Sequence, residues 1–292
     1  MSKIEQALEK AVRMRESVKD VPAEKATVPD ENQTVMHTFE IADGCIDTSK
    51  VDKHIVCITE PYSVVVEQYK KLRAKVLRAT TKDMLNTIMV TSAGIGEGKT
   101  MTSINLAVSL AHEIDYTVLL VDGDLRNPSV HKYLGIDSRY GLSDYLKGDA
   151  ELKDVLVKTG IGKLVILPGS NPPENAAELL SSERMKMLVH ELKNRYKNRY
   201  IIFDSSPLLV TADPISLGGF MDAVLFVIQE GRTSRKAAEE AISLMKGWNI
   251  LGAVFNNVPM HMTKTLYPYY YQYSRYASQK KDDNISKSEA EK

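Results

Sequence analysis

The sequence has 292 residues, of which 43% are hydrophobic and 26% are charged, which suits one large α/β domain with extensions or two small domains. Its 38 basic residues balance 38 acidic ones, so net charge provides no attraction to nucleic acid, and we expect no nucleic-acid partner. The two cysteines, Cys45 and Cys57, lack metal-ligand or CxxC spacing, which indicates a reducing, cytoplasmic compartment. No run approaches ~18 apolar residues, so we expect no membrane span.

The N-terminal fifty residues predict two extensions ahead of a folded domain. Apolar residues share one face over residues 1–18, which indicates a short amphipathic helix. Residues 19–50 contain Pro22, Pro29 and many charges without a period, which is typical of a linker. The folded domain is predicted over residues 51–260.

Six short apolar segments in this domain predict strands, and helical patterns separate them. The predicted strands are 87–91, 117–121, 163–167, 200–203, 223–228 and 251–255. Several are near-continuous apolar runs, which suits strands that are buried on both faces of a parallel sheet. The segments 102–113 and 233–246 have the length of crossover helices. This alternation predicts an α/β fold with a doubly wound, mostly parallel sheet, whose ligand lies beyond the carboxyl ends of the strands.

A glycine-rich segment, residues 93–100, follows the first predicted strand and precedes a predicted helix. Its glycines allow several backbone N–H groups to point at one phosphate. Lys99 would reach the β- and γ-phosphates, and the Thr100 hydroxyl would bind Mg²⁺. Ala93 holds the first glycine position of the G-x-x-x-x-G-K-[ST] pattern. The residues expected to bind the nucleotide are Gly94, Gly96, Glu97, Gly98, Lys99, Thr100 and Met101.

Acidic residues end two of the predicted strands. Asp122 and Asp124 follow the second strand, and Asp204 follows the strand at 200–203. Carboxylates at this edge of a sheet can hold Mg²⁺ or accept a proton from an attacking hydroxyl. A polar turn that caps the next helix is the alternative for the first pair. We expect Thr100, Asp122 and Asp204 to hold the metal.

These motifs, in this order, resemble the Walker A, Walker A′ and Walker B motifs of the bacterial tyrosine kinases. The matching residues are Gly98, Lys99 and Thr100, then Asp122, Asp124 and Arg126, then Asp204 and Pro207. The similarity covers roughly residues 60 to 276. It implies a P-loop NTPase fold of the MinD/ParA type, ATP and Mg²⁺ as cofactors, and protein-tyrosine kinase activity. The residues it implies for catalysis are Lys99, Asp122, Asp124 and Arg126.

The C-terminal segment, residues 261–292, is predicted to be a flexible tail that carries a tyrosine cluster. Pro268 and the polar residues after it argue against burial, so the phenol groups should be accessible. The resemblance implies that another copy of the chain phosphorylates this cluster; an aromatic sticky tail or an edge strand is the alternative. The expected acceptors are Tyr267, Tyr269, Tyr270, Tyr271, Tyr273 and Tyr276.

The resemblance also implies partners and a cellular role. The family self-associates, in some cases as a ring, through a Glu-x-x-Arg-x-x-Arg helix; here Glu67, Lys70 and Arg73 occupy those positions, and a solvated basic helix face is the alternative. A membrane polysaccharide chain-length regulator would recruit the cytoplasmic chain to the membrane and activate it through its cytosolic tail. A protein-tyrosine phosphatase would reverse the modification. The implied role is regulation of exopolysaccharide or capsule polymerisation and export.

Two other functions fit the same nucleotide motifs. A MinD/ParA-type ATPase carries a signature lysine five positions before the loop lysine, and Gly94 stands there in this chain. A non-catalytic nucleotide-binding scaffold of a polysaccharide export complex is the other alternative. ATP turnover without phosphotyrosine would favour the ATPase, and binding without turnover would favour the scaffold.

Overall fold

The computed structural model describes residues 46–196 and 198–259. Three predicted segments lie wholly or mostly outside this part of the chain: the N-terminal helix at 1–18, the linker at 19–50 and the tail at 261–292. Residues 48–50 form a short 3₁₀ helix, and the Ile46 N–H donates to the Thr159 carbonyl at 3.1 Å. Residues 46–50, which belong to the predicted linker, therefore make contacts with the folded domain.

One sheet of seven strands forms the centre of the described domain. The strands are β1 (Thr87–Ser92), β2 (Thr117–Asp122), β3 (Val157–Lys158), β4 (Leu164–Leu167), β5 (Arg199–Asp204), β6 (Ala223–Gln229) and β7 (Ile250–Asn256). Their order in the sheet is β3-β4-β2-β5-β1-β6-β7, and every neighbouring pair is parallel except β3–β4. The predicted doubly wound, mostly parallel sheet is confirmed, and all six predicted strands are present.

Helices cover both faces of the sheet. They are α1 (Val56–Thr59), α2 (Val64–Thr80), α3 (Lys99–Ala111), α4 (Val130–Tyr133), α5 (Leu142–Lys147), α6 (Leu152–Val155), α7 (Ala176–Leu180), α8 (Glu183–Arg195), α9 (Asp213–Gly218) and α10 (Arg235–Leu244). Adjacent residues of one strand join different apolar clusters: Ile88 packs in one and Met89 in the other. This two-sided burial explains why the strands are apolar without alternation. Among the described residues, no helix is both long and apolar enough to cross a bilayer.

The strand order brings the predicted functional residues to one edge of the sheet. The strand β5 lies between β2 and β1, so the carboxyl ends of all three strands are neighbours. In this register Asp122 pairs with Asp204, and Val90 of β1 pairs with Asp204 from the other side. The loop after β1 and both strand-ending aspartates therefore meet beyond the same edge.

Candidate nucleotide-binding and phosphoryl-transfer site

The loop between β1 and α3 has the backbone conformation that its glycines predict. Gly96 has φ +74° and Gly98 has φ +88°, a left-handed region that glycine enters without steric cost. Gly98 has a second restriction, because a β-carbon there would lie 2.0 Å from Asn256 Nδ2. Ala93 is buried and does not have a positive φ, so the first position of the motif accepts alanine here.

The Glu97 side chain supports this loop from within and does not line the cleft. It is only 3% exposed, and its Oε2 accepts the Gly94 N–H at 2.9 Å. Its Oε1 accepts the Thr233 hydroxyl at 2.6 Å, while its carbonyl oxygen accepts Asn256 Nδ2 at 3.0 Å. The backbone of Glu97 thus belongs to the expected phosphate site, whereas its carboxylate braces the loop. Thr233 and Asn256 are supporting residues that the sequence motifs do not reveal.

The start of α3 contacts the acidic strand ends directly. Lys99 Nζ lies 2.7 Å from Asp124 Oδ2 in a largely buried ion pair. The Thr100 hydroxyl donates to Asp204 Oδ2 at 2.7 Å, and the Ser103 hydroxyl donates to Asp204 Oδ1 at 3.0 Å. Ser103 is absent from the expected set because a serine inside a helix carries no motif. Its position one turn beyond Lys99 places it on the same helix face.

Asp122 has one engaged oxygen and one buried oxygen without a partner. Its Oδ2 accepts the backbone N–H groups of Ser129 at 2.8 Å and Val130 at 3.0 Å, at the start of α4. Its Oδ1 is buried and has no hydrogen-bond partner within residues 46–196 and 198–259. The structure thus contains the helix-capping contacts, and it also leaves an acceptor at the sheet edge.

Burial and mutual repulsion govern ionisation at this edge. Burial and the neighbouring Asp204 charge raise the pKa of Asp122 to about 8. Burial also raises the pKa of Asp204, although the Lys99 charge and the Thr100 hydrogen bond oppose that shift. Burial alone would lower the pKa of Lys99, but the Asp204 and Asp124 charges outweigh it and raise the pKa. The three carboxyl groups repel one another when they are all ionised, and a divalent cation would offset that repulsion.

The donor set fits Mg²⁺ only in combination with phosphate oxygens. No group of three or more His, Cys, Asp or Glu side chains within the described ranges is placed to hold a metal ion by itself. Thr100, Asp204 and the unpartnered oxygen of Asp122 are hard oxygen donors, which Mg²⁺ prefers. Such an ion keeps waters and substrate phosphate oxygens in its coordination shell, so a partial protein set is sufficient.

Arg126 of the Asp-x-Asp-x-Arg segment forms a two-pronged ion pair at the cleft. Its Nε and Nη2 donate to the carboxylate of Asp213 at 2.7 and 3.1 Å. The Asp213 side chain is 1% exposed, whereas that of Arg126 is 46% exposed and lines the cleft. Asp213 was not among the expected residues, because an Asp-Pro pair at a helix start reads as an ordinary first turn.

The phosphate loop, the start of α3 and the segments that follow β2 and β5 surround a cleft of about 450 Å³. Its lining includes Ile95, Gly96, Gly98, Lys99, Thr100, Met101, Asp124, Arg126, Asn127, Ser129, Tyr133, Ser206, Pro207, Val210 and Thr211. Among the nucleotide residues expected from the sequence, Gly96, Gly98, Lys99, Thr100 and Met101 are therefore at its wall. Asp122 and Asp204 lie behind the wall, in contact with its residues.

The helix α2 carries the segment that resembles the family's self-association motif. Lys70 Nζ lies 2.5 Å from Glu67 on the same helix. Arg73 Nη1 donates to the Ser109 carbonyl at 2.9 Å, and its Nε lies 2.7 Å from Glu113. Both basic side chains thus make contacts within the chain, and self-association through α2 stays a prediction. The six tail tyrosines lie outside the described residues.

The fold and this site define a class of protein, the P-loop NTPases. A glycine-rich loop leads from a central strand into a buried helix that begins with lysine and threonine, and aspartates end the adjacent strands. Residues 85–247 match the family model described as an AAA domain. This class binds nucleotides together with a divalent metal.

Two curated relatives identify the family. The chain is 35% identical to the tyrosine-protein kinase YwqD of Bacillus subtilis over 211 residues, which cover 71% of this chain and 87% of that protein. It is 32% identical to the tyrosine-protein kinase CpsD of Streptococcus agalactiae over 174 residues, or 59% of this chain and 74% of CpsD. The chain belongs to the family of bacterial tyrosine-protein kinases, so the expected enzyme class is confirmed.

Solved structures support the same assignment. The chimerical protein CapA2B2 superposes with a TM-score of 0.67 at 26% identity, covering 76% of this chain and 95% of that one. The kinase domain of Escherichia coli Etk gives 0.65 at 29% identity, covering 70% and 82%. The cell-division protein MinD of Pyrococcus horikoshii gives 0.50 at 26% identity, covering 61% and 75%. The kinase structures resemble the chain over more of its length than MinD does.

Proposed function

We propose that the chain is an ATP-dependent tyrosine autokinase, which phosphorylates the C-terminal tyrosine cluster of a neighbouring copy. One observation carries the proposal: Lys99 and Thr100 meet three aspartates at one sheet edge in a chain of this kinase family. The acceptors would be the tyrosines at 267, 269, 270, 271, 273 and 276.

The described residues supply the groups that a bound triphosphate needs. The backbone N–H groups of the loop and the positive end of α3 favour an anion. Lys99, now paired with Asp124, would turn its charge to the γ-phosphate. Thr100, with Asp122 or Asp204 directly or through water, would hold Mg²⁺, which neutralises charge on the terminal phosphates.

The transfer step then needs positioning and a proton acceptor. The phenol oxygen attacks the γ-phosphorus, the bond from that phosphorus to the bridging oxygen of ADP breaks, and the phenolic proton passes to a carboxylate. Asp122 or Asp124 would accept it. The pKa of Asp122 is about 8 without a metal ion, and the charge of a bound Mg²⁺ would lower it, so the carboxylate would be ionised and able to accept the proton. Most of the rate enhancement comes from charge stabilisation and orientation.

The proposal includes a cellular setting, supported by the family resemblance. The chain would regulate exopolysaccharide or capsule polymerisation and export. The cytosolic tail of a membrane chain-length regulator would bring it to the inner face of the membrane and activate it. Copies would assemble, as a ring or a smaller oligomer, so that one tail enters another site. A protein-tyrosine phosphatase would remove the phosphates from the tail.

The test is to incubate purified protein with ATP and Mg²⁺ and to map phosphotyrosine by mass spectrometry. Lys99→Met removes the loop ammonium, and Lys186→Met is the control because that lysine is exposed on α8. We expect phosphate on residues 267–276 in the wild type and the control, but none in Lys99→Met. No phosphotyrosine in any of them, even with a candidate partner's cytosolic tail, would favour an ATPase or a scaffold instead.

A further inference from the structure

The turn between β6 and α10, residues 230–234, is fastened to the phosphate loop. The Thr233 hydroxyl donates to Glu97 Oε1 at 2.6 Å. The same hydroxyl oxygen accepts the Gln229 N–H at 2.9 Å, and the Thr233 N–H donates to the Gln229 carbonyl at 3.0 Å. The Glu230 N–H donates to the Asn256 carbonyl at 3.0 Å. This network fixes the turn relative to the loop, and Arg232 lies within the turn.

The guanidinium group of Arg232 lies against Gly96. A β-carbon built on Gly96 would be 3.1 Å from both terminal nitrogens of Arg232, so the flat face of the group covers that glycine. Gly96 is part of the cleft wall. Arg232 is exposed, and no ion pair is recorded for it within the described part of the chain.

Arg232 lies beside a loop whose backbone already favours an anion, so an anion bound there would meet both the loop and the guanidinium group. The N–H groups of the loop and the start of α3 already present positive partial charge there. The two cations that line the cleft are paired, Lys99 with Asp124 and Arg126 with Asp213, whereas Arg232 has no ion pair among the described residues. Guanidinium groups are suited to phosphate oxygens, because their donors form a planar fork.

We propose that Arg232 is a second cationic ligand of the nucleotide phosphates, and that the contact between Thr233 and Glu97 positions it. This inference rests on the proposed binding of ATP. Thr233 is then a positioning residue, since it acts through the turn and does not itself line the cleft. The site would take a nucleoside triphosphate with its phosphates on the loop and one oxygen shared between Gly96 N–H and the Arg232 guanidinium.

The test is isothermal titration calorimetry of the full chain with ATP and Mg²⁺. Arg232→Ala should weaken ATP binding about tenfold, the usual loss for one charge-assisted contact, and Arg232→Lys should lose less. Arg235→Ala is the matched control, because Arg235 is 90% exposed three residues later and its ion pair within the described ranges is with Glu239 on the same helix. The control should bind as the wild type does.

A double-mutant cycle separates positioning from a merely structural role. Thr233→Val removes the hydroxyl at nearly constant shape and should cause part of the Arg232→Ala loss. In the double variant the two losses should not add, because both act on one contact. The inference is overturned if Arg232→Ala binds ATP as tightly as Arg235→Ala, or if the two losses in the cycle add fully. In either case, ATP binding by the wild type would leave the proposed function standing. A wild type that binds no ATP would overturn both.

Discussion

At the scale of single residues, the two carboxylate oxygens of Asp122 have different surroundings. One oxygen caps the start of α4, and the other is buried beside Asp204 without a partner in the described structure. Sequence reasoning could place this carboxylate at the sheet edge, because a strand-ending aspartate must lie there. It could not assign a partner to each carboxylate oxygen, because helix capping and metal binding both favour an aspartate at this position.

The raised pKa of Asp122 has a consequence for stability in the absence of metal and nucleotide. Its usual value is 3.8 and its folded value is about 8, so the folded state holds one more proton between these values. Stability from this group is fully present below about pH 4 and falls as pH rises toward 8. We expect urea unfolding to show a decline in the free energy of unfolding between pH 5.5 and 8.

Asp122→Asn is the matching variant, because the amide oxygen can still accept the Ser129 and Val130 N–H groups. It carries no ionisable proton, so its unfolding free energy should depend less on pH, and it should exceed that of the wild type at pH 8. Parallel pH profiles for the two proteins would show that this carboxylate is already ionised in the folded state.

Replacing Arg126 should destabilise the protein more than replacing its partner Asp213. Arg126→Ala leaves the fully buried Asp213 carboxylate without a partner, which should destabilise the protein by about 1–3 kcal/mol. Asp213→Asn leaves a half-exposed guanidinium that water can solvate, so its cost should be smaller. Chemical denaturation of both variants and of Arg126→Ala/Asp213→Asn tests this order. A larger loss for Asp213→Asn than for Arg126→Ala would contradict it.

At the scale of elements, the phosphate loop was predictable but its support was not. Residues 93–100 form a local motif, whereas the bracing residues Thr233 and Asn256 are more than a hundred positions away in sequence. Contacts at that separation leave no periodic or spacing signal in one sequence. The two-residue strand β3 was missed for a related reason, since two residues are too few to show a pattern.

Gly98 should be the most restricted position of the loop. Gly98→Ala combines a left-handed backbone with a β-carbon 2.0 Å from Asn256 Nδ2, and we expect nucleotide binding to be lost. Gly247→Ala is a control for backbone strain alone, because Gly247 has φ +90° and nothing within 4 Å of an added β-carbon. Calorimetric titration should show ordinary ATP affinity for Gly247→Ala, and adding Asn256→Ala to Gly98→Ala should restore only part of the binding.

At the scale of the whole molecule, strand–helix alternation was sufficient to predict the class of fold. Parallel strands need crossover helices, so the alternation leaves few arrangements. The order of the seven strands was not predictable, because it depends on which face each crossover covers. The segment predicted as a linker includes Ile46, whose side chain packs against the core, because one apolar residue among polar ones shows no periodic pattern.

Tail phosphorylation should weaken the proposed assembly. Each phosphate adds about −1.5 to −2 charges near neutral pH, so six on one tail would repel each other and the acidic sheet edge. Light scattering of the wild type should show a smaller average mass after incubation with ATP and Mg²⁺. A variant with all six tail tyrosines changed to phenylalanine should keep the same assembly mass after this incubation. An unchanged assembly mass for the phosphorylated wild type would contradict the prediction.

The last described strand, β7, ends at Asn256, whose side chain touches the chain's own phosphate loop. Tyr267 follows eleven residues later (267 − 256 = 11). A fully extended segment of that length reaches at most about 40 Å. So short a tether would hold a tail near its own site at a millimolar effective concentration if the geometry allowed entry. Reaction order therefore separates the two routes: a rate per molecule that stays constant on dilution signals self-modification, and one that falls in proportion signals exchange between copies.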